Sequence, residues 1–378
     1  MAHVLFLMSD TGGGHRAAAR AIEAALTERY PGQFTCELVD VWREYTPFPL
    51  NSVPDVYGPW VKLSPGSYSA LFWLGDRLLM PPGTATSIDV EPLYPAMKKL
   101  YAEHPADVIV CVHSVFVRPG IYTLRRRKMT TPFLTVITDY AWPTMLWYDT
   151  RVDRCLVPTP PAYERGLTLG LSTDQLRLTG APVHPKFGRV TLSREEAKRQ
   201  LGWLPGLPAV MLIGGGDGMG PLVETARAID AVRAQCQLIV IAGRNKALQE
   251  KLNTLRWQNP TRIYGFVNNM EIMMTAADAL VTKAGPGTIT EAATVGLPLI
   301  LSGAIRFQES PNTEYVVQHG AGIYAPGPKR VAETVADLFS GSNLNQLAEL
   351  ARGVRRLAVA DATYKIADEI KNAVQDGR

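Results

Sequence analysis

Cysteine is scarce in this chain of 378 residues: its four cysteines (Cys36, Cys111, Cys155, Cys236) are scattered, and no C-x-x-C pair occurs. That excludes a disulfide framework and the common zinc spacings, and it suits a reducing compartment. Long apolar runs are lacking as well. No uninterrupted stretch reaches the roughly 18 residues needed to span a bilayer, and the N-terminus has no charged region followed by an extended apolar core. A cytoplasmic protein that touches membranes only peripherally is therefore expected. Two nucleotide-site signatures are also missing: G-x-G-x-x-G after the first apolar run, and the Walker pattern. Their absence argues against ordinary dehydrogenases and P-loop hydrolases. No D-x-D motif occurs, so a metal-held diphosphate has no evident ligands; neither a metal nor a cofactor is expected. The net charge of +4 favours an anionic surface but is too small to indicate a nucleic-acid partner.

What is present is globular in composition, with 46% hydrophobic and 20% charged residues. The length exceeds one ordinary core, so two domains are expected. In the first half, short apolar runs at 4–8, 35–39, 108–112, 133–138, 154–157 and 176–179 alternate with helical patterns. The second half restarts with a strand at 209–213, followed by strands at 238–242, 262–264, 279–281 and 298–301, with helices between them. This alternation implies parallel sheets covered on both faces. The expected fold is α/β: two Rossmann-like, doubly wound domains facing a cleft. Residues 1–185 form the first and 190–345 the second, with the apolar rhythm lapsing near 182–193. Residues 346–378 read as two helices expected to cross back to the first domain, with a bend at Arg352-Gly353.

Each half carries a glycine turn between a strand and a helix. Ser9-Asp10-Thr11-Gly12-Gly13-Gly14-His15 opens the first helix, and Lys283-Ala284-Gly285-Pro286-Gly287-Thr288 opens a late one. Such turns attract anions, because glycine admits close backbone approach and the helix start offers free N–H groups and a positive dipole end. A third turn, Gly214-Gly215-Gly216, follows the 209–213 strand. Residues 45–82 break the rhythm with aromatics and prolines; so long an insertion marks a lid, a binding element or an interaction surface.

The string from Ser9 to His15, Gly265-Phe266-Val267 with Asn269-Met270, the block from Thr282 to Glu291, and Gln308-Glu309 with Asn312 together resemble the monogalactosyldiacylglycerol synthases and processive diacylglycerol glucosyltransferases. More distantly, they are similar to the enzyme that adds N-acetylglucosamine to the lipid-linked peptidoglycan precursor. Thr46-Pro47-Phe48-Pro49-Leu50-Asn51 also looks like that family's aromatic insertion. The resemblance implies the GT-B fold, a UDP-hexose donor (galactose or glucose), a 1,2-diacylglycerol acceptor and inversion at the anomeric carbon. It also implies docking on a membrane surface with anionic lipids.

The resemblance assigns Glu291, one helical turn past the second glycine loop, to the ribose diol; a glutamate there also simply suits the helix dipole. Phe266, Val267 and Met270 stand beside the uracil, or pack a core. Gln308, Glu309 and Asn312 follow a strand end, where sugar hydroxyls are read in an open α/β domain, or line a polar loop. Gly215, Arg244, Gly285, Pro286, Gly287 and Thr288 complete the donor set, the last four as a helix start facing phosphate. Lys283 is a further cation beside them. In the first half His15, at a helix N-terminus that disfavours its charged form, is the candidate general base, or it contacts lipid phosphate or only shapes the turn. Asp139 is an alternative base or its orienting partner, and Asp10 a third candidate. Gly13, Gly14, Phe48, Trp60, Phe72, Trp73, Trp142 and Arg118 are expected on the acceptor and membrane side, along with the basic cluster Arg125-Arg126-Arg127-Lys128, which equally reads as a solvated helix end. The family's histidine after the Thr-Asp pair is missing here: the stretch runs Ala141-Trp142-Pro143-Thr144-Met145-Leu146-Trp147. Three alternatives stay open: a UDP-N-acetylhexosamine epimerase, a transferase with another lipid-linked acceptor, and a non-catalytic nucleotide-sugar sensor.

Overall fold

In a computed structural model, the described residues are 1–11, 13–78, 90–216, 218, 220–232, 234–340 and 344–377. The chain divides into two compact units, Met1–Pro185 with Asp361–Arg378, and Lys186–Ala360.

In the first unit the apolar runs become β1 (Ala2–Met8), β2 (Phe34–Asp40), β3 (Val108–Cys111), β4 (Phe133–Val136), β5 (Arg154–Val157) and β6 (Leu176–Leu178). They form a parallel sheet in the order β2-β1-β3-β4-β5-β6. Because side chains alternate along a strand, β1 feeds two cores. Val4, Phe6 and Met8 meet Ile22 and Leu26 of helix α1 (Gly14–Arg29) on one face. Leu5 and Leu7 share the other core with Phe116, Ile121 and Trp147.

Among the described residues four α-helices follow before β3: α2 (Val41–Tyr45), α3 (Val53–Leu63), α4 (Pro65–Leu78) and α5 (Tyr94–Glu103). Helices α6 (Ser114–Arg126) and α7 (Pro160–Thr168) join the later strands. The aromatic insertion thus folds as α3 and α4. Tyr68 packs edge-on against both Tyr57 and Trp60. Phe48 is 81% exposed and Leu63 82%. Leu79 and Met80, at the end of the insertion, lie outside the described residues.

The second unit repeats the plan. Strands β7 (Ala209–Ile213), β8 (Gln237–Ile241), β9 (Thr261–Tyr264), β10 (Ala279–Lys283), β11 (Leu299–Gly303) and β12 (Gly322–Tyr324) form a parallel sheet ordered β12-β11-β10-β7-β8-β9. Its helices are α8 (Arg194–Gln200), α9 (Leu222–Ala231), α10 (Lys246–Asn253), α11 (Met270–Ala276), α12 (Pro286–Val295), α13 (Ser310–Gln318), α14 (Gly327–Leu338) and α15 (Leu344–Leu357).

The expected bend at Gly353 is corrected: α15 runs through it. Gly353 lies there because the helix crosses the Gly320 carbonyl so closely that a Cβ would collide with it. The region from 346 onward is shared between the units. Helix α15 stays with the second, whereas α16 (Ala362–Asp376) packs Ile366, Ile370 and Val374 into the first unit's core.

Candidate functional site

In the first unit, strand ends and helix starts converge on His15. Gly13 takes a left-handed conformation (φ 75°) and ends the turn after β1, a geometry that glycine adopts without strain. His15, in the first turn of α1, directs Nδ1 to the Val112 carbonyl at 2.7 Å. A carbonyl only accepts, so Nδ1 carries the proton and Nε2 keeps the lone pair. Thr138 Oγ1 lies 3.1 Å from the same Nδ1. Burial lowers the His15 pKa to about 4, partly countered by the Val112 bond, so the ring is neutral near pH 7. Asp139, next to Thr138, accepts from Trp147 Nε1 at 2.7 Å, and the Trp147 ring centroid is 6.3 Å from that of His15. Trp147 is fully buried; it orients the carboxylate that the sequence offered as a second base. Asp10 grips Arg16 through both oxygens at 2.7 and 2.8 Å.

The position that a Cβ would occupy at Gly14 is open space, so a ligand can approach the backbone there. Trp142 is 45% exposed and is covered on one face by the Arg165 guanidinium, 4.3 Å from the ring centroid. Arg165 is held by Asp76 of α4, which also accepts the Met145 N–H at 2.6 Å. The insertion and the Asp139 loop are thereby joined. Trp73 is 38% exposed, and Trp60 donates to Ser67 Oγ at 2.8 Å. The side chain of Phe72 and residue Gly12 lie outside the described residues.

One expectation for this unit needs correction. Arg118 is 2% exposed, on the packed side of α6, so it is not a surface contact for lipid headgroups. The basic cluster stays at the surface, with Arg126, Arg127 and Lys128 exposed: Arg125 pairs with Asp153 at 2.7 Å, Arg126 with Glu91 at 3.3 Å, and Arg127 donates to the Lys98 carbonyl at 3.1 Å.

In the second unit the donor residues gather at the C-terminal ends of the strands, as open α/β sheets place ligands. The β7 and β8 ends are laced together. Arg244 N–H donates to the Gly216 carbonyl at 2.8 Å, and the Arg244 guanidinium lies over Gly216 and 5.4 Å from the Phe266 ring centroid. Gly215 (φ 71°) stands in the open beside them. Phe266 is 58% exposed, which removes the core-packing alternative for it; Val267 and Met270 are partly exposed.

Gly285 caps α12, Pro286 opens it, and Gly287 faces open space. Thr288 is partly exposed in the same turn. Bare backbone N–H groups at a helix start are the elements of an anion site. One turn on, Glu291 has its pKa raised to about 7, chiefly by burial, with Glu271 adding to it and Lys186 opposing it. Lys186 itself bridges Glu271 at 2.8 Å.

The Glu309 carboxylate is buried. One oxygen pairs with Lys283 and the other accepts the Ile305 N–H at 3.0 Å. Asn312, 1% exposed, donates to the Ala284 carbonyl at 3.0 Å. Glu309 and Asn312 therefore brace the glycine loop, and Gln308, partly exposed before α13, stands at its rim. Sequence reasoning misses His113, Asp76 and Arg165. Of these only His113 has a local signal, its place just past the end of β3.

The first unit matches the monogalactosyldiacylglycerol (MGDG) synthase family model over residues 15–183. The second matches the C-terminal domain of glycosyltransferase family 28 over residues 209–365. Monogalactosyldiacylglycerol synthase 1, chloroplastic, of Arabidopsis thaliana is 38% identical, with 98% of this chain and 71% of the relative covered. Among solved structures, MurG of Acinetobacter baumannii superposes with TM-score 0.63 at 15% identity, covering 98% of this chain and all of that one. The UDP-GlcNAc 2-epimerase of Neisseria meningitidis superposes at 0.59 and 11%, covering 98% and 99%. These two likenesses show the fold, which is that of the two-domain GT-B glycosyltransferases. The full-length identity shows the rest: the chain belongs to the monogalactosyldiacylglycerol synthase family of glycosyltransferases.

Proposed function

We propose that this transferase moves galactose from UDP-galactose to the free hydroxyl of 1,2-diacylglycerol, giving a β-galactosyl lipid. The observation that carries the proposal is the neutral His15, with its Nδ1–H committed to Val112 and Nε2 left as a proton acceptor, in a chain of this family. Nε2 takes the proton of the acceptor hydroxyl. The oxygen forms its bond to the anomeric carbon from the face opposite the leaving group. The bond from that carbon to the diphosphate oxygen breaks, and UDP departs with the electron pair, so the configuration inverts.

The start of α12 stabilises the departing phosphate with backbone N–H groups, Glu291 accepts from the ribose diol, and Arg244 with Phe266 borders the nucleoside. No metal ion is needed in this scheme; transfer that persists at full rate in excess EDTA supports it, and transfer abolished by EDTA and restored by a divalent cation contradicts it. The exposed apolar surface at Phe48 and Leu63 favours a lipid-borne acceptor over the epimerase alternative. Among the described residues no helix is long and apolar enough to cross a membrane, so contact through this surface would be peripheral. The test is His15→Ala assayed with UDP-galactose and diacylglycerol: loss of about a hundredfold or more in turnover with UDP binding retained is expected. Unchanged turnover would remove His15 from the chemistry.

A further inference from the structure

We propose that His113 is a positioning residue for the transfer: through Thr11 it fixes the Ser9–His15 turn and so holds His15 in its reactive tautomer. The inference rests on His15 being the base.

His113 is 6% exposed and immediately follows Val112, whose carbonyl accepts the hydrogen bond from His15 Nδ1–H. Its Nδ1 accepts the Val115 N–H at 3.3 Å, capping the start of α6. An accepting Nδ1 in a neutral ring puts the proton on Nε2, and Nε2 then donates to Thr11 Oγ1 at 3.0 Å. The imidazole stacks on Phe116, with centroids 4.6 Å apart and planes 30° apart, and its other neighbour is His15 at 4.3 Å. Burial and the neighbouring His15 push the His113 pKa well below the usual histidine value, so this tautomer persists at neutral pH.

One ring thus ties a helix start, the middle of the glycine turn and the wall of the His15 site. Gly13 and Gly14 give that turn little rigidity of their own. A side-chain tie at Thr11 supplies the constraint that a base needs to hold a reactive geometry.

Two substitutions separate the tie from the cap. His113→Asn keeps a short acceptor for the Val115 N–H but cannot reach Thr11, and Thr11→Val removes the acceptor while leaving His113 intact. The readouts are ¹⁵N spectra of the six histidines, turnover and KM for the UDP-sugar, and thermal unfolding. Both variants are expected to unfold close to wild type. In both, the His15 nitrogens should change from a single Nδ1–H form to an exchanging mixture, and turnover should fall about tenfold with KM unchanged. The double variant should lose no more than either single one, and Thr11→Ser, which keeps the hydroxyl, should behave as wild type.

Unchanged His15 nitrogen signals in both variants, or single losses that multiply in the double variant, would overturn the proposal. Should His113→Asn fail to fold, Thr11→Val with Thr11→Ser decides alone. If wild-type protein makes no galactolipid, the proposed substrates fall, while the nitrogen spectra still decide whether His113 positions His15.

Discussion

Burial pushes His15 and Glu291 in opposite directions, and that separates them by pH. Desolvation disfavours the charged form of each group. It lowers the histidine to about 4 and raises the glutamate to about 7. His15 is therefore in its neutral, proton-accepting form at any pH well above 4. In the proposed donor site Glu291 accepts both ribose hydrogen bonds as a carboxylate, so donor capture is expected to weaken as pH falls below about 7. The expected outcome is a split: kcat/KM for the UDP-sugar falls as pH drops from 8 to 6, while kcat at saturating donor holds to about pH 5. A kcat that falls in step with kcat/KM around pH 6.5 would contradict the assignment. Titration calorimetry in buffers of different ionisation enthalpy should also show proton release on UDP binding at pH 7, since the diol favours the charged carboxylate.

Stability follows the same sign. A carboxyl raised in the folded state contributes stability below its unfolded value near 4.5, and that contribution is lost as pH rises through about 7. Glu291→Gln is accordingly expected to unfold a few degrees above wild type at pH 8 and level with it at pH 5, while binding UDP about tenfold or more weakly.

At the scale of elements, helix starts and strand ends do the work, and these were legible because their residues are unambiguous. Short, mainly apolar runs such as Ala209–Ile213 and Arg154–Val157 coincide with the observed strands. The stretch after β11 was not legible. Strand β12 spans only three residues, and α14 opens on Gly327-Pro328, a pair that reads as a turn. The aromatic stretch was read as an insertion, but not as two helices. Pro54, Pro59 and Pro65 sit inside or at the start of those helices, where composition alone argues against helix. Nor could sequence reveal that Glu309 spends its carboxylate on Lys283 and Ile305, because that pairing is made by folding.

Two glycines separate architecture from ligand approach. Gly243 has φ 63°, and a Cβ there would collide with the Gly216 carbonyl. Gly243→Ala is expected to cost at least about 2 kcal/mol in denaturant unfolding. Gly287 faces open space, so Gly287→Val should unfold close to wild type while weakening UDP binding about tenfold or more by covering the bare N–H groups. Equal damage to stability from both substitutions would contradict this division.

Over the whole molecule, each unit has its own parallel sheet, and the proposed site residues follow the strand ends. The C-terminal helix α16 belongs with the first unit, anchored by Asp368 to Arg29 and Tyr30 and by Glu369 to Arg154. Arg125–Arg127 already have partners within their unit, whereas Phe48 and Leu63 expose apolar side chains; we propose that these apolar side chains carry the membrane contact. Co-sedimentation with diacylglycerol-containing liposomes should therefore survive high salt and fall on Phe48→Ser with Leu63→Ser. Binding abolished by salt alone would transfer the role to charge.

The most direct measurement offers purified protein diacylglycerol in mixed liposomes with UDP-galactose or UDP-glucose, and follows the lipid product by mass and by the anomeric coupling in NMR. A β-galactosyl diacylglycerol, formed from UDP-galactose in preference to UDP-glucose, is the expected result. UDP released without a glycolipid, or an α-linked product, would contradict an in-line transfer to diacylglycerol begun by His15.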